Sequence, residues 1–290
     1  LYQWRLFLAF LYLLSTWIQE TALSLRGGQG MKKYFSLFSV FSRQSLKSFA
    51  IYRATAVITA TFGVLFFTVE CILGMVLFSL TDDIVGYSFQ DYLLMISVAS
   101  LITYLYQFFF ASAHENLAEV ILEGELDTVL LRPVNSLYYY SCFRQDYSCL
   151  INVLVVIPFI VGLYIQYNGF SIFNIIVFLL FIILAVLCVY IVNQLFVTLV
   201  FFFENSTRLL GLSEYLYDVA TRPIAIYPKA IIKILMYVVP YGFVTNMSWQ
   251  VPIRGLPLAA FVFLALWDVL GLMLANVLWN KGIKKYVSSN

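Results

Sequence analysis

Residues 147–203 of the chain read YSCLINVLVVIPFIVGLYIQYNGFSIFNIIVFLLFIILAVLCVYIVNQLFVTLVFFF, and none of these 57 residues carries a charge. An α-helix that crosses a bilayer needs about 20 predominantly apolar residues. The stretch is therefore too long for one helix, and the dipeptide Asn168-Gly169 in its middle is a turn signal. We predict a hairpin of two membrane-spanning helices, 149–166 and 171–202.

The composition of the whole chain is also typical of a membrane protein. Of its 290 residues, 62% are hydrophobic and 11% are charged, against roughly 25% charged in an ordinary soluble domain. The mean hydropathy is +0.91. A soluble domain with so few charges would expose apolar patches that drive association, so a cytosolic enzyme, a disordered chain and a coiled coil are excluded. A net charge of +2 is too small to suggest a nucleic-acid partner.

Four further apolar stretches complete a predicted bundle of six transmembrane helices, and they cover residues 54–80, 92–112, 227–247 and 256–280. The fifth span is followed by a kinked or re-entrant stretch, since Pro240 and Pro252 interrupt it. Six spans place both termini on one side of the membrane. From Met31 onward, 14 of 15 Lys and Arg residues fall on that side, four of them in 204–233. The positive-inside rule then predicts that both termini are cytoplasmic.

The region before the first span divides at Met31, the first methionine of the chain. We interpret residues 1–30 as a translated leader or a non-native extension, and residues 31–290 as a single transmembrane domain. The alternative for residues 1–30 is an N-terminal interfacial helix, because 6–17 is apolar but too short to span. Aromatic and aliphatic residues then recur every three to five positions and predict an amphipathic helix in the inner membrane interface, or one packed on protein. These residues are Phe35, Phe38, Phe41, Leu46 and Phe49.

No motif for catalysis or metal binding is present in the sequence. It contains no GxxxxGK[ST], HExxH or GxSxG pattern, so a membrane-embedded enzyme is disfavoured. The single histidine, His114, cannot build a metal site alone, and the four cysteines lack metal-ligand spacing. The cysteines are Cys71, Cys142, Cys149 and Cys188.

Polar side chains inside the spans are the candidate pathway residues, namely Glu70, Asn193, Gln194 and Asp268. A charge at the bilayer centre costs about 2.5–3.5 kcal/mol on insertion scales, so Glu70 and Asp268 should face protein or water. They either line a pathway for a cationic substrate or for protons, or they join helices through hydrogen bonds. Both interpretations stay open at the level of the sequence.

The predicted loop 113–146 contains a regular acidic pattern. Glu115, Glu119 and Glu123 recur every four residues and predict one acidic helix face. The sequence GELDTVLLRPV follows from Gly124. A helix there should end before Pro133, because the residue before a proline resists the α conformation. We predict a short cytoplasmic element to which a partner protein can bind.

This element resembles the cytoplasmic segment G-x-LD-x-x-LLRP-V found in one subgroup of the permease subunits of bacterial ABC-2 type transporters. The matching residues are Gly124, Leu126, Asp127, Leu130, Leu131, Arg132, Pro133 and Val134. A second likeness lies at 222–228 and 239–244. Family members there show a similar tyrosine–proline entry to the fifth helix and a later proline–aromatic break.

The resemblance implies the permease subunit of an ATP-driven exporter, a multi-pass protein of the bacterial plasma membrane surrounded by lipid. Such a subunit pairs with a second permease, identical or different, so that each supplies half of the translocation pathway. ATP and Mg²⁺ would bind to a separate cytoplasmic ATP-binding subunit, so no cofactor or metal and no enzymatic activity are expected in this chain. Relatives are linked with export of drugs, antimicrobial peptides, lipids or glycans.

Coupling to the ATP-binding subunit is assigned to the acidic face and to the motif that follows it. These residues are Glu115, Glu119, Glu123, Gly124, Leu126, Asp127, Leu130, Leu131, Arg132 and Pro133. The alternative function is an ion-coupled secondary transporter or channel in which Glu70 and Asp268 are the coupling residues.

Overall fold

The computed structural model describes residues 30–167, 172–203, 207–255 and 257–286, which are almost entirely helical. The predicted leader up to residue 29 and the predicted turn at Asn168-Gly169 lie outside the described residues. Five of the described helices are long and apolar enough to cross a membrane, or six if one bent pair counts as a single span. The predicted all-helical class with several membrane helices is therefore confirmed for this part of the chain.

Six described α-helices lie before the hairpin: the amphipathic N-terminal helix, two long apolar helices and three short helices that follow them. They are α1 (Gly30–Ile51), α2 (Arg53–Ser79), α3 (Phe89–Tyr106), α4 (Ser112–Leu122), α5 (Asp127–Leu130) and α6 (Ser136–Cys142). A π-helical turn, Gln107–Ala111, joins α3 directly to α4. The predicted second span, 92–112, thus belongs to a longer helix that continues into the segment predicted as a loop.

The helices of the hairpin and those after it complete the bundle. They are α7 (Ser148–Ile165), α8 (Ile172–Thr198), α9 (Thr207–Ala220), α10 (Lys229–Lys233), α11 (Tyr241–Ser248), α12 (Val251–Arg254) and α13 (Leu258–Lys285). The central helix is α8, which packs along α13 and α3, while α7 packs on α3 and α2. Close approach of α8 and α13 requires Gly271, since a Cβ atom there would lie 2.7 Å from the side chain of Ile191.

Ring contacts fix the direction of the first helices relative to each other. The connection 80–88 turns the chain back, so that Phe78 near the end of α2 touches Phe89 at the start of α3. Farther from this connection, Tyr104 of α3 donates a hydrogen bond to the carbonyl oxygen of Gly63. We call the end of the bundle at the connection the 80–88 end, and the opposite end, which carries α5, the α5 end.

The predicted fifth span, 227–247, is not a single helix. Its two halves, Lys229–Val238 and Tyr241–Ser248, are bent by 88° relative to each other. The bend falls at Pro240, which has no amide hydrogen for a helical hydrogen bond. The break therefore lies inside the predicted span, whereas the kinked stretch was predicted to follow it.

The segment 204–233 also differs from its prediction as a cytoplasmic loop. Its helix α9 packs inside the bundle against α8 and α11, and Tyr217 of α9 donates a hydrogen bond to the carbonyl oxygen of Ala99 in α3. Arg222 then pairs with Glu70, which lies nine residues, or about 14 Å, before the end of α2. Arg222 thus lies within the length of the bundle. The positive-inside rule assumes that each cation is solvated outside the membrane. Arg222 departs from this assumption because Glu70 neutralises its charge.

The N-terminal amphipathic segment forms helix α1, and its aromatic residues do not share one environment. Phe41 is buried, whereas Phe35 is 78% exposed. Phe41 packs edge-on against Tyr139 of α6. Location of α1 in the membrane interface stays a prediction.

Candidate functional site

Helix α4 is amphipathic, with its acidic face outward. Glu115, Glu119 and Glu123 are all exposed, whereas Leu117 and Ile121 on the opposite face are buried. The buried face joins an apolar cluster with residues of α5, α6, α8 and α13. The cluster holds α4 against the bundle and leaves its three carboxylates exposed.

The end of α4 depends on the backbone of Gly124, whose φ is +75°. The amide of Glu125 donates a hydrogen bond to the carbonyl oxygen of Val120 at 3.0 Å, which is the bond of a Schellman C-cap. A residue with a Cβ atom pays about 1–2 kcal/mol in this left-handed conformation. Glycine therefore sets the angle at which the chain leaves α4 toward α5.

We expect Gly124→Ala to lower the free energy of unfolding by about 1–2 kcal/mol, because alanine resists the left-handed conformation. The measurement is thermal unfolding of the purified chain in detergent. Gly124→Asn is the matched control and should lose less, since asparagine tolerates positive φ. Equal stability of the wild type and the alanine variant would show that the C-cap is not formed.

Helix α5 has a buried base and an exposed tip. Leu126 and Val129 are buried, and the amide of Leu126 donates to the hydroxyl of Tyr286 near the C-terminus at 3.0 Å. Leu131 is 86% exposed, and Arg132 and Pro133 beside it are exposed as well. We call residues 131–133 the tip. The tip therefore carries an exposed apolar side chain on a base that is anchored in the bundle.

Arg132 is held in place although it is exposed. Its guanidinium lies 5.0 Å from the ring centroid of Tyr139, a cation–π contact. Its Nε also donates a hydrogen bond to the carbonyl oxygen of Thr128 at 3.3 Å. Of the other predicted coupling residues, Asp127 begins α5 and Leu130 is half-buried.

Helix α1 supports the tip from the side. Lys33 donates a hydrogen bond from Nζ to the carbonyl oxygen of Pro133 at 2.7 Å. The hydroxyl of Tyr34 accepts from the amide of Asn135, and the hydroxyl of Tyr138 donates to the carbonyl oxygen of Tyr34. Burial raises the pKa of Tyr138 to about 12, so this phenol stays protonated and remains a donor near neutral pH.

A buried polar network joins α4 to the centre of the bundle. The His114 ring lies 2.8 Å by Nδ1 from the hydroxyl of Tyr106 and 3.0 Å by Nε2 from Oε1 of Gln194. Because the Gln194 oxygen can only accept, Nε2 carries the proton and Nδ1 accepts from the tyrosine. Gln194 in turn donates from Nε2 to the hydroxyl of Thr198. The ring also stacks on Tyr190.

The predicted pathway residues are not brought together. Gln194 belongs to the network just described, and Asn193 donates to the carbonyl oxygen of Val189 and to the hydroxyl of Tyr241. Asp268 is 1% exposed, and its two carboxyl oxygens have no hydrogen-bond partner among the described residues. Of the four, only Glu70 lines a cavity described below.

Two adjoining cavities run along α2. The first, of about 580 Å³, lies between α2, α3, α7 and α9 and contains Glu70 and Arg222. The second, of about 620 Å³, lies nearer the α5 end, between α1, α2 and the segment 143–148. Thr59 lines both. The two cavities therefore meet at Thr59 and together extend from the α5 end to the level of the Glu70–Arg222 pair.

The Glu70–Arg222 pair is bidentate. Arg222 donates from Nη1 to Glu70 Oε2 at 2.5 Å and from Nη2 to Glu70 Oε1 at 2.9 Å. Nη1 also donates to the hydroxyl of Tyr92 at 2.9 Å. The planar fork of an arginine matches a carboxylate in this geometry. The pair ties the segment after α9 to α2 and α3.

A sequence model of the family described as "ABC-2 family transporter protein" matches residues 64–290, most of the chain. The chain belongs to the ABC-2 transporter family. Proteins of this family are membrane translocation components and normally work with an ATP-binding subunit. No curated protein and no solved structure matches the chain.

In this ABC-2 chain the support that α1 gives to the tip was not predicted from the sequence. Lys33 and Pro133 are separated by 100 residues, and the only local signal was the amphipathic spacing of α1. The hydrogen bonds of His114 to Tyr106 and Gln194 were not predicted either, since a lone histidine was weighed only as a metal ligand. Both contacts depend on tertiary packing, and no motif of the sequence encodes them.

We expect Glu70→Gln to lower the free energy of unfolding of this ABC-2 chain by about 1–2 kcal/mol, a range for a charged hydrogen-bonded pair that is partly exposed. The reason is that Arg222 would keep its charge without a counter-ion. Thermal unfolding in detergent measures the loss. The double variant Glu70→Gln with Arg222→Gln is the control, and it should recover part of the stability because no unpaired charge is left. If the stability loss of the double variant equals the sum of the losses of the two single variants, Glu70 and Arg222 do not interact energetically.

Proposed function

We propose that this ABC-2 chain is the permease subunit of an ATP-driven exporter. It forms half of a translocation pathway, pairs with a second permease subunit and is driven by a separate ATP-binding subunit. The sequence contains no GxxxxGK[ST] motif, the loop that binds nucleotide phosphates. This supports the assignment of ATP binding to a separate subunit. We place the complex in the bacterial plasma membrane, surrounded by lipid.

The observation that carries the proposal is the exposed tip on its anchored base. Leu131 is an exposed apolar side chain, and Glu123 of the acidic face of α4 lies eight residues before it in the chain. An apolar anchor beside charged groups suits a protein partner, because the anchor contributes affinity and the charges contribute register and association rate. An ATP-binding subunit with a basic groove has the complementary chemistry.

The connection between α4 and α3 supports a mechanical route from the tip to the cavity. The helix runs without a break from Phe89 to Ile121, and its α3 part lines the first cavity. Displacement of α4 by a partner would therefore move one wall of the cavity. The hydrogen bond from His114 to Gln194 would pass the same motion to α8.

We propose cytoplasmic termini and a cytoplasmic tip on the basis of the cation distribution. In a variant without other accessible cysteines, Asp83→Cys in the connection 80–88 should react with an impermeant maleimide added to intact cells. Leu131→Cys at the tip should react only after the cells are opened. If position 131 but not position 83 is labelled in intact cells, the orientation of the chain in the membrane is the opposite of the proposed one.

The positions of Glu70 and Asp268 do not support the alternative of an ion-coupled transporter. Glu70 is neutralised by Arg222, and no described contact connects it with Asp268 in the interface of α8 and α13. The proposed exporter is therefore the better account of the same residues.

Reconstitution with an ATP-binding subunit tests the proposal. The chain is co-expressed with a candidate subunit that carries GxxxxGK[ST], and the purified complex is placed in lipid nanodiscs. We expect the ATPase rate to differ from that of the isolated ATP-binding subunit by at least severalfold. The control replaces the lysine of that motif in the partner, which should abolish the activity. Failure of every co-encoded ATP-binding protein to co-purify, together with transport driven by an ion gradient alone, would favour the alternative.

A further inference from the structure

We infer that the second cavity, between α1, α2 and the segment 143–148, binds the headgroup of an anionic phospholipid. We call it the headgroup cavity. Its volume of about 620 Å³ falls in the range of small-molecule sites. The lipid is a resident ligand and is not transported, so the inference does not depend on how transport is driven.

The walls of the headgroup cavity are fixed by contacts that α1 makes across it. The amide of Gln145 donates a hydrogen bond to Oγ of Ser45 at 3.0 Å. The hydroxyls of Ser42 and Tyr147 lie 2.6 Å apart, and the Tyr147 ring packs against Phe49. The cavity is therefore preformed, as sites for small ligands usually are.

The lining of the headgroup cavity is rich in hydrogen-bond donors. Four side chains of the lining can donate a hydrogen bond and make none to another described residue. They are Gln44, Ser48, Thr55 and Thr59. The oxygens of a phosphodiester are strong acceptors for such groups. An anionic headgroup therefore offers partners to all four donors.

Positive charge predominates around the headgroup cavity. Arg144 lines it, is exposed and forms no salt bridge with any described residue. Two carboxylates are nearby, that of Asp146 in the lining and that of Glu115, which interacts electrostatically with Arg144. Three further exposed cations outweigh them, each a direct sequence neighbour of a lining residue, namely Arg43, Lys47 and Arg53. Such a basic pocket beside a membrane helix attracts an anionic lipid headgroup.

The position of the headgroup cavity on α2 matches the edge of a bilayer. Thr55 and Thr59 lie in the first two turns of this 27-residue helix. A helix of that length spans about 40 Å, whereas the hydrocarbon core is about 30 Å thick, so the helix ends reach the headgroup region.

The exposed face of α2 continues from the headgroup cavity toward the middle of the helix. Phe62 and Phe66 follow Thr59 at spacings of three and four residues, which places them on the same face. They are 56% and 70% exposed. An acyl chain can lie along this apolar surface while its headgroup occupies the cavity. The two features together fit one phospholipid, whereas a soluble anion would use only the cavity.

Native mass spectrometry of the purified full chain tests the inference, with equal amounts of phosphatidylglycerol and phosphatidylcholine added in detergent. We expect phosphatidylglycerol to be retained at least severalfold more than phosphatidylcholine. The double variant Lys47→Gln with Arg144→Gln should weaken this preference roughly tenfold, because each cation near the headgroup contributes to its attraction. The matched control, Lys281→Gln with Lys284→Gln, removes two exposed cations at the same end of the bundle. It should retain the lipid as the wild type does.

A second pair of variants tests the cavity itself and keeps every charge. Ser48→Phe places a ring in the headgroup cavity and should lower the retention of phosphatidylglycerol severalfold. Ser36→Phe, at an exposed position of α1 outside the cavity, should not. Phosphatidylglycerol should also raise the thermal unfolding temperature of the wild type more than that of the Ser48→Phe variant.

Three results would overturn the inference. Equal retention of both lipids by the wild type would show that the cavity does not select an anion. Equal losses in the two double variants would show that the attraction is diffuse and needs no cavity. Displacement of phosphatidylglycerol by glycerol 3-phosphate at the same concentration would show that a soluble phosphate suffices, which contradicts the assignment of a membrane lipid.

Discussion

Replacement of Asp127 and Arg132 together by alanine is expected to uncouple the ATP-binding subunit from this chain. Arg132 holds the tip through Tyr139 and Thr128, and Asp127 begins the helix that carries it. The variant should lose at least 90% of the permease-dependent change in ATPase rate. The apolar base, with Leu126 and Val129, is unchanged, so the bundle should still fold.

Two readouts distinguish uncoupling from misfolding. The thermal unfolding temperature of the variant should stay close to that of the wild type, and co-purification of the ATP-binding subunit should decrease. Asp82→Asn in the connection 80–88 is the control, since it removes one exposed charge at the opposite end of the bundle. Full retention of both co-purification and ATPase response in the alanine variant would remove the α5 segment from the coupling role.

Replacement of His114 by alanine is expected to cause the largest loss of stability among single substitutions. The hydroxyl of Tyr106 and the amide oxygen of Gln194 are buried and would both lose their partner. Each unsatisfied group costs about 1–3 kcal/mol, and the lost stacking on Tyr190 adds a cavity term. The unfolding temperature should fall by several degrees.

The control for this experiment is Glu119→Gln on the same helix, which is exposed and should change the unfolding temperature little. The double variant His114→Ala with Gln194→Leu should be less destabilised than the sum of the two single variants, because it removes a pair of partners together. A wild-type unfolding temperature for His114→Ala would show that the network contributes nothing to stability.

The helical class could be predicted from the sequence because membrane spans have a local signature. The uncharged stretch 147–203 contains α7 and α8, and the apolar stretch 54–80 matches α2 within one residue at each end. Length and hydropathy decide such helices without knowledge of their neighbours. The continuation of α3 into α4 was not predicted, since hydropathy falls at Ser112 whereas the helical hydrogen bonds continue through the π-helical turn.

The position of Arg222 and the bend at Pro240 could not be predicted for a different reason. Glu70 and Arg222 are 152 residues apart, and a local count of charges cannot find a counter-ion at that distance. A proline in a span predicts a break, but the angle of 88° depends on how the two halves pack on other helices.

The candidate site was predicted in part. The spacing of Glu115, Glu119 and Glu123 is a local helical period and correctly placed the three carboxylates on an exposed face. Asn193 and Gln194 also attract attention in an apolar helix, but sequence alone does not say whether such groups face a cavity or a partner. In the structure they face partners, namely Tyr241 and His114.

Site-specific photocrosslinking from Leu131 in native membranes tests the central claim most directly. A photoreactive residue at this position, with Phe66 on the exposed face of α2 as the control position, is irradiated in cells and its adducts are identified by mass spectrometry. We predict that position 131 crosslinks to a protein with a GxxxxGK[ST] motif and that position 66 does not. Adducts from position 131 only to lipid or to this chain itself would contradict the account.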